Sequence, residues 1–136
     1  MAKLLLMEDD EVQADMLSVG LIDAGHSVKV SYNGNEAWLH LCAQPFDLLI
    51  TDMLVPVTRS AEGGGGFLLV NRIRRTRWEE LHPDNREIPI ITISGAGQKL
   101  LGQDLLESAI SSGADSALRK PFRLEDLLSE IDRLLS

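Results

Sequence analysis

The feature that most constrains the fold is a regular alternation of short apolar runs with longer amphipathic stretches. The first run, Lys3-Leu4-Leu5-Leu6-Met7, is continuous rather than alternating. Such a run is typical of a strand that is buried on both faces, as in a parallel sheet covered by helices. The next stretch repeats apolar residues at helical spacing, namely Val12, Met16, Val19, Leu17 and Leu21. We therefore expect a helix here, with Gly25 just beyond its end.

The same strand and helix pattern recurs along the chain. Further strands are predicted at His26 to Tyr32, Asp47 to Thr51, Ile88 to Ser94 and Ser116 to Arg119. Further helices are predicted around Glu36 to Ala43, from Phe67 to about Trp78, at Lys99 to Ser112 and at Leu124 to Leu135. Five βα units joined by right-handed crossovers imply an α/β fold of the doubly wound kind, with a mostly parallel sheet.

Two segments interrupt this rhythm. Val57 to Gly66 ends in four consecutive glycines and is predicted to be a loop insertion, either a tether or a docking loop. A phosphate-binding nucleotide loop is disfavoured because no Lys-Ser or Lys-Thr follows Gly66. Arg77 to Glu87 is predicted to form an extended connection between the third helix and the fourth strand. Otherwise residues 1–136 are expected to form one domain.

Composition excludes several classes of function. The sequence has no run of about 20 apolar residues, so we expect no membrane span. The net charge of −8 argues against direct binding of nucleic acid, which depends on clustered Lys and Arg. With Cys42 as the single cysteine and no leader at the start, a soluble cytoplasmic protein is expected.

Polar residues follow four of the predicted strands. Glu8-Asp9-Asp10 follow the first, Asp52 follows the third, Ser94 ends the fourth and Lys120 follows the fifth. Ligands of open α/β sheets bind beyond the carboxyl ends of the strands, so these groups are expected to converge. Any one acidic residue after a strand is more often a helix cap or turn former, and Asp10 is assigned that role.

The converging groups suggest phosphoryl chemistry. Clustered carboxylates repel one another unless a cation neutralises them, and oxygen ligands in a partly open site favour Mg²⁺ with a phosphate completing its shell. An aspartate can itself be the nucleophile and become an aspartyl phosphate. Mg²⁺ and Lys120 could neutralise the phosphoryl oxygens, and Ser94 could donate a hydrogen bond to one of them.

These stretches together resemble the receiver domain of two-component response regulators. The resemblance rests on residues 4–11, 47–52 with Pro56, 90–96, 113–115 and 120–122. It implies a flavodoxin-like (βα)5 fold with a parallel five-stranded sheet in the order 2-1-3-4-5. It also implies site roles: Asp52 as phosphoacceptor, Glu8 and Asp9 as the acidic pair for Mg²⁺, the Leu54 carbonyl as a further metal ligand, and Ser94 and Lys120 as contacts of the phosphoryl group.

The sequence departs from the family pattern in places that affect signalling. Ala117 stands where receivers usually carry a Tyr or Phe whose ring moves with the sensing hydroxyl, so we expect the signal to be transmitted without an aromatic gate. Leu54 and Ala96 occupy positions from which family members tune loss of the phosphoryl group. Neither side chain can orient a water molecule by hydrogen bonding, which predicts a long-lived phosphoryl group.

The leading hypothesis is therefore a receiver that takes a phosphoryl group from a histidine kinase or a histidine phosphotransfer protein. It would catalyse only its own phosphorylation and dephosphorylation and so would not count as an enzyme. Because one helix follows Lys120, the expected output is contact with a downstream protein target. A homodimer is an assembly that the sequence allows. Two alternatives are an Mg²⁺-dependent phosphohydrolase with an aspartyl-phosphate intermediate and a receiver-like interaction module that is never phosphorylated.

Overall fold

A parallel sheet of five strands forms the centre of the protein. The computed structural model describes residues 1–52, 66–75, 80–94, 99–100, 103–104 and 113–136. The sheet strands are β1 (Lys3–Met7), β2 (Ser27–Ser31), β3 (Leu48–Asp52), β4 (Ile90–Ser94) and β5 (Ser116–Arg119). Their spatial order is β2-β1-β3-β4-β5, and every neighbouring pair is parallel. The predicted fold class and strand order are confirmed.

Four helices flank the sheet in the described part of the chain, and local capping explains where two of them begin. They are α1 (Glu11–Asp23), α2 (Gly34–Ala43), α3 (Gly66–Arg75) and α4 (Leu124–Leu135). Asp10 caps α1 as predicted, because its carboxylate accepts hydrogen bonds from the N–H groups of Val12 and Gln13. Asn33 caps α2 in the same way by accepting from the N–H of Glu36, so Asn33-Gly34 begins a helix rather than forming a separate turn.

The core has two halves, one on each face of the sheet. Leu5 belongs to the half that includes buried residues of α2 and α3, whereas its neighbours Leu4 and Leu6 belong to the half with residues of α1 and α4. Adjacent strand residues point to opposite faces, so continuous apolar runs are what a sheet covered on both sides requires.

Helix α1 sorts its apolar residues into two rows. Leu21 is buried and Leu17 packs against the core, as helical spacing predicts. Val12, Met16 and Val19 instead point to solvent, with 66–70% of each residue exposed. The helical spacing is therefore confirmed, but only one row contributes to the core.

The predicted helix at Lys99 to Ser112 is wrong at its start. Lys99–Leu100 and Gln103–Asp104 pair as a short antiparallel ladder outside the main sheet. The sequence of this stretch contains Gly102, and glycine disfavours a helix interior. Residues 105–112 lie outside the described residues.

Several other predicted boundaries differ from the structure. Gly66 is the first residue of α3 and not the last of the predicted insertion, whose other residues, 57–65, lie outside the described residues. The described part of α3 ends at Arg75, and the predicted end of this helix near Trp78 lies in residues 76–79, outside the described residues. β4 begins at Ile90 rather than Ile88, because the N–H of Ile88 is bonded to the carbonyl of Asn85 and not to a neighbouring strand.

The long connection before β4 is hydrogen-bonded to the end of α2 and to the segment that follows α2. It contains a turn of 3-10 helix, Pro83–Asn85, and the N–H of His82 donates to the carbonyl of Leu41 at the end of α2. Asn85 is fully buried and bonds three backbone groups of residues 41–46. The extra length of this connection is therefore used to pack against the segment between α2 and β3.

Candidate functional site

The carboxyl ends of the parallel strands bring together the polar residues expected there. Glu8 follows β1 directly, Asp52 is the last residue of β3, Ser94 the last of β4, and Lys120 follows β5. Glu8, Asp52 and Ser94 are buried although they are polar. Buried polar groups are retained where partners satisfy them or chemistry needs them, so this end of the sheet is the candidate site.

Three carboxylates form a compact cluster at this edge. One oxygen from each of Glu8, Asp9 and Asp52 can be chosen so that all three lie within 4.8 Å of one another. The short link from β1 to α1 supports the cluster, because the N–H of Asp10 donates to Glu8 Oε1 at 3.2 Å. The adjacency of β1 and β3 in the sheet brings Asp52 beside the Glu8-Asp9 pair.

Burial and the nearby negative charge together shift the pKa of Glu8. Burial, and then the charge of Asp52 and a hydrogen bond to it, raise the pKa of Glu8 from 4.5 to about 8, against the lowering effect of Lys120 and the Asp10 N–H. A carboxyl group with this pKa keeps its proton at neutral pH in the absence of a metal ion. A divalent cation would relieve the same repulsion.

Lys120 supplies the positive charge of the site. Its Nζ lies 3.2 Å from Glu8 Oε2 and 3.5 Å from Asp52 Oδ2. Burial alone would lower the pKa of Lys120, but the charges of Asp52 and Glu8 outweigh burial and raise it. The ammonium group therefore stays charged at physiological pH. Its closest contact is the side-chain Oε1 of Gln13, at 2.7 Å.

Gln13 was not identified from the sequence. It lies in the first turn of α1, where an exposed glutamine carries no recognisable signal, and only the three-dimensional structure brings it to Lys120. The signal that could have suggested it is indirect. The cap at Asp10 fixes the start of α1, and Gln13 lies three residues later, on the turn next to the acidic strand end.

Backbone pairing connects Ser94 to the lysine. The N–H of Lys120 donates to the carbonyl of Ser94 at 2.7 Å, and Ser94 pairs with Arg119 across β4 and β5. Asp52 pairs with Ile93 in the neighbouring ladder, so Ser94 follows directly the residue that faces Asp52. The hydroxyl and the ammonium are therefore carried by adjacent strand ends beside the carboxylate.

The donor set fits Mg²⁺. Three carboxylate oxygens are hard ligands, and Asp9 is only half-buried, so the cluster is partly open to solvent. Magnesium commonly binds through a few carboxylates and keeps water or phosphate oxygens in its remaining positions. The backbone carbonyl of Leu54, predicted as a further ligand, and Ala96 lie outside the described residues.

The position on β5 where receivers usually carry an aromatic residue is occupied by Ala117, which is half-buried and pairs with Thr92 of β4.

Cys42 packs beside the core, and burial raises the pKa of its thiol, as expected for a cysteine with a structural role. None of the helices in the described ranges is long and apolar enough to cross a membrane.

Comparison with curated proteins finds many regulators of transcription. The chain is 31% identical over 138 residues to the DNA-binding dual master transcriptional regulator RpaA of Synechocystis sp., with 99% of this chain and 49% of that protein covered. It is 32% identical over 135 residues to the response regulator receiver protein CpdR of Brucella abortus, with 99% and 98% covered. The chain spans about half the length of most of the curated relatives that it matches.

Solved structures agree with these relatives. A putative response regulator from Chloroflexus aurantiacus superposes with a TM-score of 0.81 at 28% identity, covering 98% of this chain and 97% of that one. The chemotaxis protein CheY4 of Vibrio cholerae superposes with a TM-score of 0.75 at 28% identity, covering 99% of each chain. A family profile described as the response regulator receiver domain matches residues 4–132. With the strand order, the acidic cluster and these likenesses in agreement, the chain belongs to the response regulator receiver domain family.

Proposed function

We propose that the chain accepts a phosphoryl group on the carboxylate of Asp52 from a histidine kinase or a histidine phosphotransfer protein. One observation carries the proposal. Asp52 ends a buried strand where Glu8 and Asp9 lie beside it and the Lys120 ammonium is 3.5 Å from its Oδ2. This arrangement combines a nucleophile with the positive and negative groups that phosphoryl transfer requires.

The reaction follows from these positions. An Asp52 oxygen attacks the phosphorus of a phosphohistidine, a new O–P bond forms as the N–P bond breaks, and the leaving imidazole nitrogen takes up a proton. Lys120 balances negative charge on the transferred oxygens, and the Ser94 hydroxyl can donate a hydrogen bond to one of them. The product is an acyl phosphate on the protein itself. We accordingly expect self-modification rather than turnover of a released substrate.

Glu8, Asp9 and Asp52 would hold the magnesium ion, with the Leu54 carbonyl as a proposed further ligand. When bound, the ion supplies charge neutralisation for the incoming phosphoryl oxygens. The chain's own part is to keep the carboxylates close enough that their mutual repulsion favours cation binding. The raised pKa of Glu8 is consistent with this view, because the charge of Asp52 contributes to it after burial, which is the larger cause.

The surface beside the site supports a protein as the phosphoryl donor. The exposed row of α1, formed by Val12, Met16 and Val19, runs along the helix that begins next to Asp9. A cavity of about 400 Å³ lies between this helix and the segment after β5. It is lined by Gln13, Met16, Leu17, Lys120, Pro121, Phe122 and Leu124. An apolar surface continuous with the rim of a charged site suits contact with a folded partner.

Incubation with acetyl phosphate and Mg²⁺ followed by intact mass measurement tests the central proposal. The wild-type chain should gain the mass of one phosphoryl group, and Asp52→Ala should gain none. Asp84→Ala removes a carboxylate that is exposed on the 3-10 turn and should behave as wild type. Consumption of acetyl phosphate without accumulated mass would favour the phosphohydrolase. Neither mass gain nor consumption would favour the interaction module.

Transfer from a purified phosphorylated histidine phosphotransfer protein tests the donor surface. Met16→Glu should slow this transfer at least severalfold while leaving phosphorylation by acetyl phosphate unchanged. Leu39→Glu places the same charge on an exposed apolar position of α2 and is the matched control. Equal rates for both variants would contradict the assignment of the surface on α1.

A further inference from the structure

We propose that Gln13 is a positioning residue whose side-chain amide oxygen holds the Lys120 ammonium at the rim of the acidic cluster. The inference rests on the proposed phosphorylation of Asp52 and adds a residue from outside the strand-end set. It begins from a simple observation: the shortest hydrogen bond of the Lys120 ammonium group is made to this neutral side chain and not to a carboxylate.

The contacts of the ammonium group match its bonding capacity. A lysine ammonium has three N–H donors, and three acceptors surround Nζ in this structure. They are Gln13 Oε1 at 2.7 Å, Glu8 Oε2 at 3.2 Å and Asp52 Oδ2 at 3.5 Å. The two carboxylates approach from the sheet, whereas Gln13 approaches from α1. The ammonium therefore lies between α1 and the acidic cluster, in contact with both.

Gln13 is itself held in place by the start of its helix. Its backbone N–H donates to Asp10 Oδ1 at 3.1 Å, and the backbone N–H of Asp10 donates to Glu8 Oε1 at 3.2 Å. Because Glu8 also contacts Lys120, these contacts form a closed ring that joins the ends of β1 and β5 through the first turn of α1. A side chain in such a ring can fix its partner's position.

Lys120 needs an anchor of this kind. About a quarter of its side chain is exposed, and a lysine carries its charge on a flexible four-carbon stem. The carboxylates attract it strongly, but this attraction changes when Asp52 is modified. The glutamine amide is neutral, so its hydrogen bond with the ammonium does not depend on the charge of the carboxylates. It therefore holds the ammonium at the rim of the cluster, where phosphoryl oxygens can reach it, so that the two carboxylates do not set its position alone.

Replacing the acceptor without changing the length of the side chain gives the first test. Gln13→Met removes the amide oxygen, and we expect the initial rate of phosphorylation by acetyl phosphate to fall by about three- to tenfold. Gln13→Glu keeps an oxygen acceptor and should restore most of the rate. Asp23→Met introduces the same side chain at the exposed far end of α1 and should leave the rate unchanged.

A double-mutant cycle distinguishes positioning from a general effect on the helix. If Gln13 acts through Lys120, Gln13→Met should have no further effect on the rate in a Lys120→Ala background. An equal loss of rate in both backgrounds would overturn the proposal, as would an unchanged rate in the single variant when the wild type is phosphorylated on Asp52.

The order of the Lys120 ammonium, measured by NMR relaxation of its ¹⁵Nζ group, provides a test that needs no phosphorylation. The order parameter should fall in Gln13→Met and recover in Gln13→Glu, and an unchanged value would contradict the anchoring role. If the wild type gains no phosphoryl mass while the order parameter responds as expected, the proposed function fails and the contact itself stands. This measurement also decides the matter if Lys120→Ala is too slow to assay.

Discussion

The side-chain oxygen of Asn85 accepts a hydrogen bond from the backbone N–H of Phe46 at 2.9 Å, across 39 positions of sequence. Its amide nitrogen donates to the carbonyls of Leu41 and Gln44 at 2.7 and 2.8 Å. Asn85 is completely buried, so no solvent replaces these partners. One side chain therefore satisfies three backbone groups at the end of α2 and the start of the next connection.

Truncating this side chain should destabilise the fold strongly. Asn85→Ala leaves two carbonyls and one N–H without their partner in a buried place, which we expect to lower the free energy of unfolding by about 2–4 kcal/mol. Urea denaturation followed by circular dichroism measures the change. Glu87→Ala, at an exposed position two residues later, should cost less than about 0.5 kcal/mol. A similarly small effect of Asn85→Ala would show that the three bonds do not hold the connection.

Two glycines with similar backbone angles should respond differently to alanine. Gly25 has φ +101° and open space where a Cβ would stand, whereas at Gly113, with φ +118°, a Cβ would lie 2.7 Å from the Cγ of Arg74. Arg74 cannot easily move away, because its Nε donates to the Gly113 carbonyl and its guanidinium pairs with Asp115. The crowding therefore adds to the backbone strain only at Gly113.

Gly25→Ala should cost about 1 kcal/mol of unfolding free energy, from the left-handed backbone alone. Gly113→Ala should cost roughly 2 kcal/mol more, because the Arg74 contacts must shift as well. Adding Arg74→Ala to each variant checks the cause. The difference between the two glycine substitutions should shrink in that background, and a difference that persists would assign it to something other than Arg74.

The central sheet could be predicted from the sequence because burial on both faces imposes an unmistakable pattern. β1, β5 and α4 have the predicted bounds, and the strand order follows from the resemblance. The helix predicted from Lys99 is wrong at its start, because apolar residues at helical spacing do not reveal that Lys99–Leu100 and Gln103–Asp104 pair as strands. Asn85 gave no signal either, since its partners are backbone groups about 40 residues away.

The site residues could be found for a related reason. Strand ends are fixed by the topology, so Glu8, Asp52, Ser94 and Lys120 had to lie at one edge once the sheet was recognised. Gln13 could not be predicted in this way, because its position in the site depends on the direction in which a long side chain leaves a helix. The sequence also did not show which apolar residues of α1 face solvent, because helical spacing gives the period of a pattern but not which row packs against the sheet.

The protonation of Glu8 predicts how stability depends on pH in the absence of divalent cations. The pKa of Glu8 is 4.5 in the unfolded chain and about 8 in the native protein. Between these pH values the native protein therefore holds a proton that the unfolded chain has released. The stabilisation is full below pH 4.5 and is lost as pH rises to about 8. Lys120 remains charged over this range and contributes no slope, since its pKa is raised above 10.5.

Comparison of the wild type with Glu8→Gln isolates this effect from the other carboxylates. In buffer with a chelator, the unfolding free energy of the wild type minus that of the variant should fall by about 1 kcal/mol for each pH unit between about pH 5 and 8. Urea denaturation at several pH values measures it. A constant difference across this window would mean that Glu8 is ionised in the native protein throughout.

The same proton should compete with a metal ion at the acidic cluster. Binding of Mg²⁺ through Glu8 and Asp52 requires both to be ionised, so below about pH 8 each bound ion must displace the proton of Glu8. The apparent Kd for Mg²⁺ should therefore decrease by close to tenfold per pH unit up to about pH 8 and then level off. Titration calorimetry in buffers of different ionisation enthalpy measures both the affinity and the protons released.

Glu8→Gln should bind Mg²⁺ more weakly with a shallower dependence on pH. A wild-type Kd that does not change with pH would show that Glu8 gives up no proton to the ion, and the ion would then have to bind without this carboxylate.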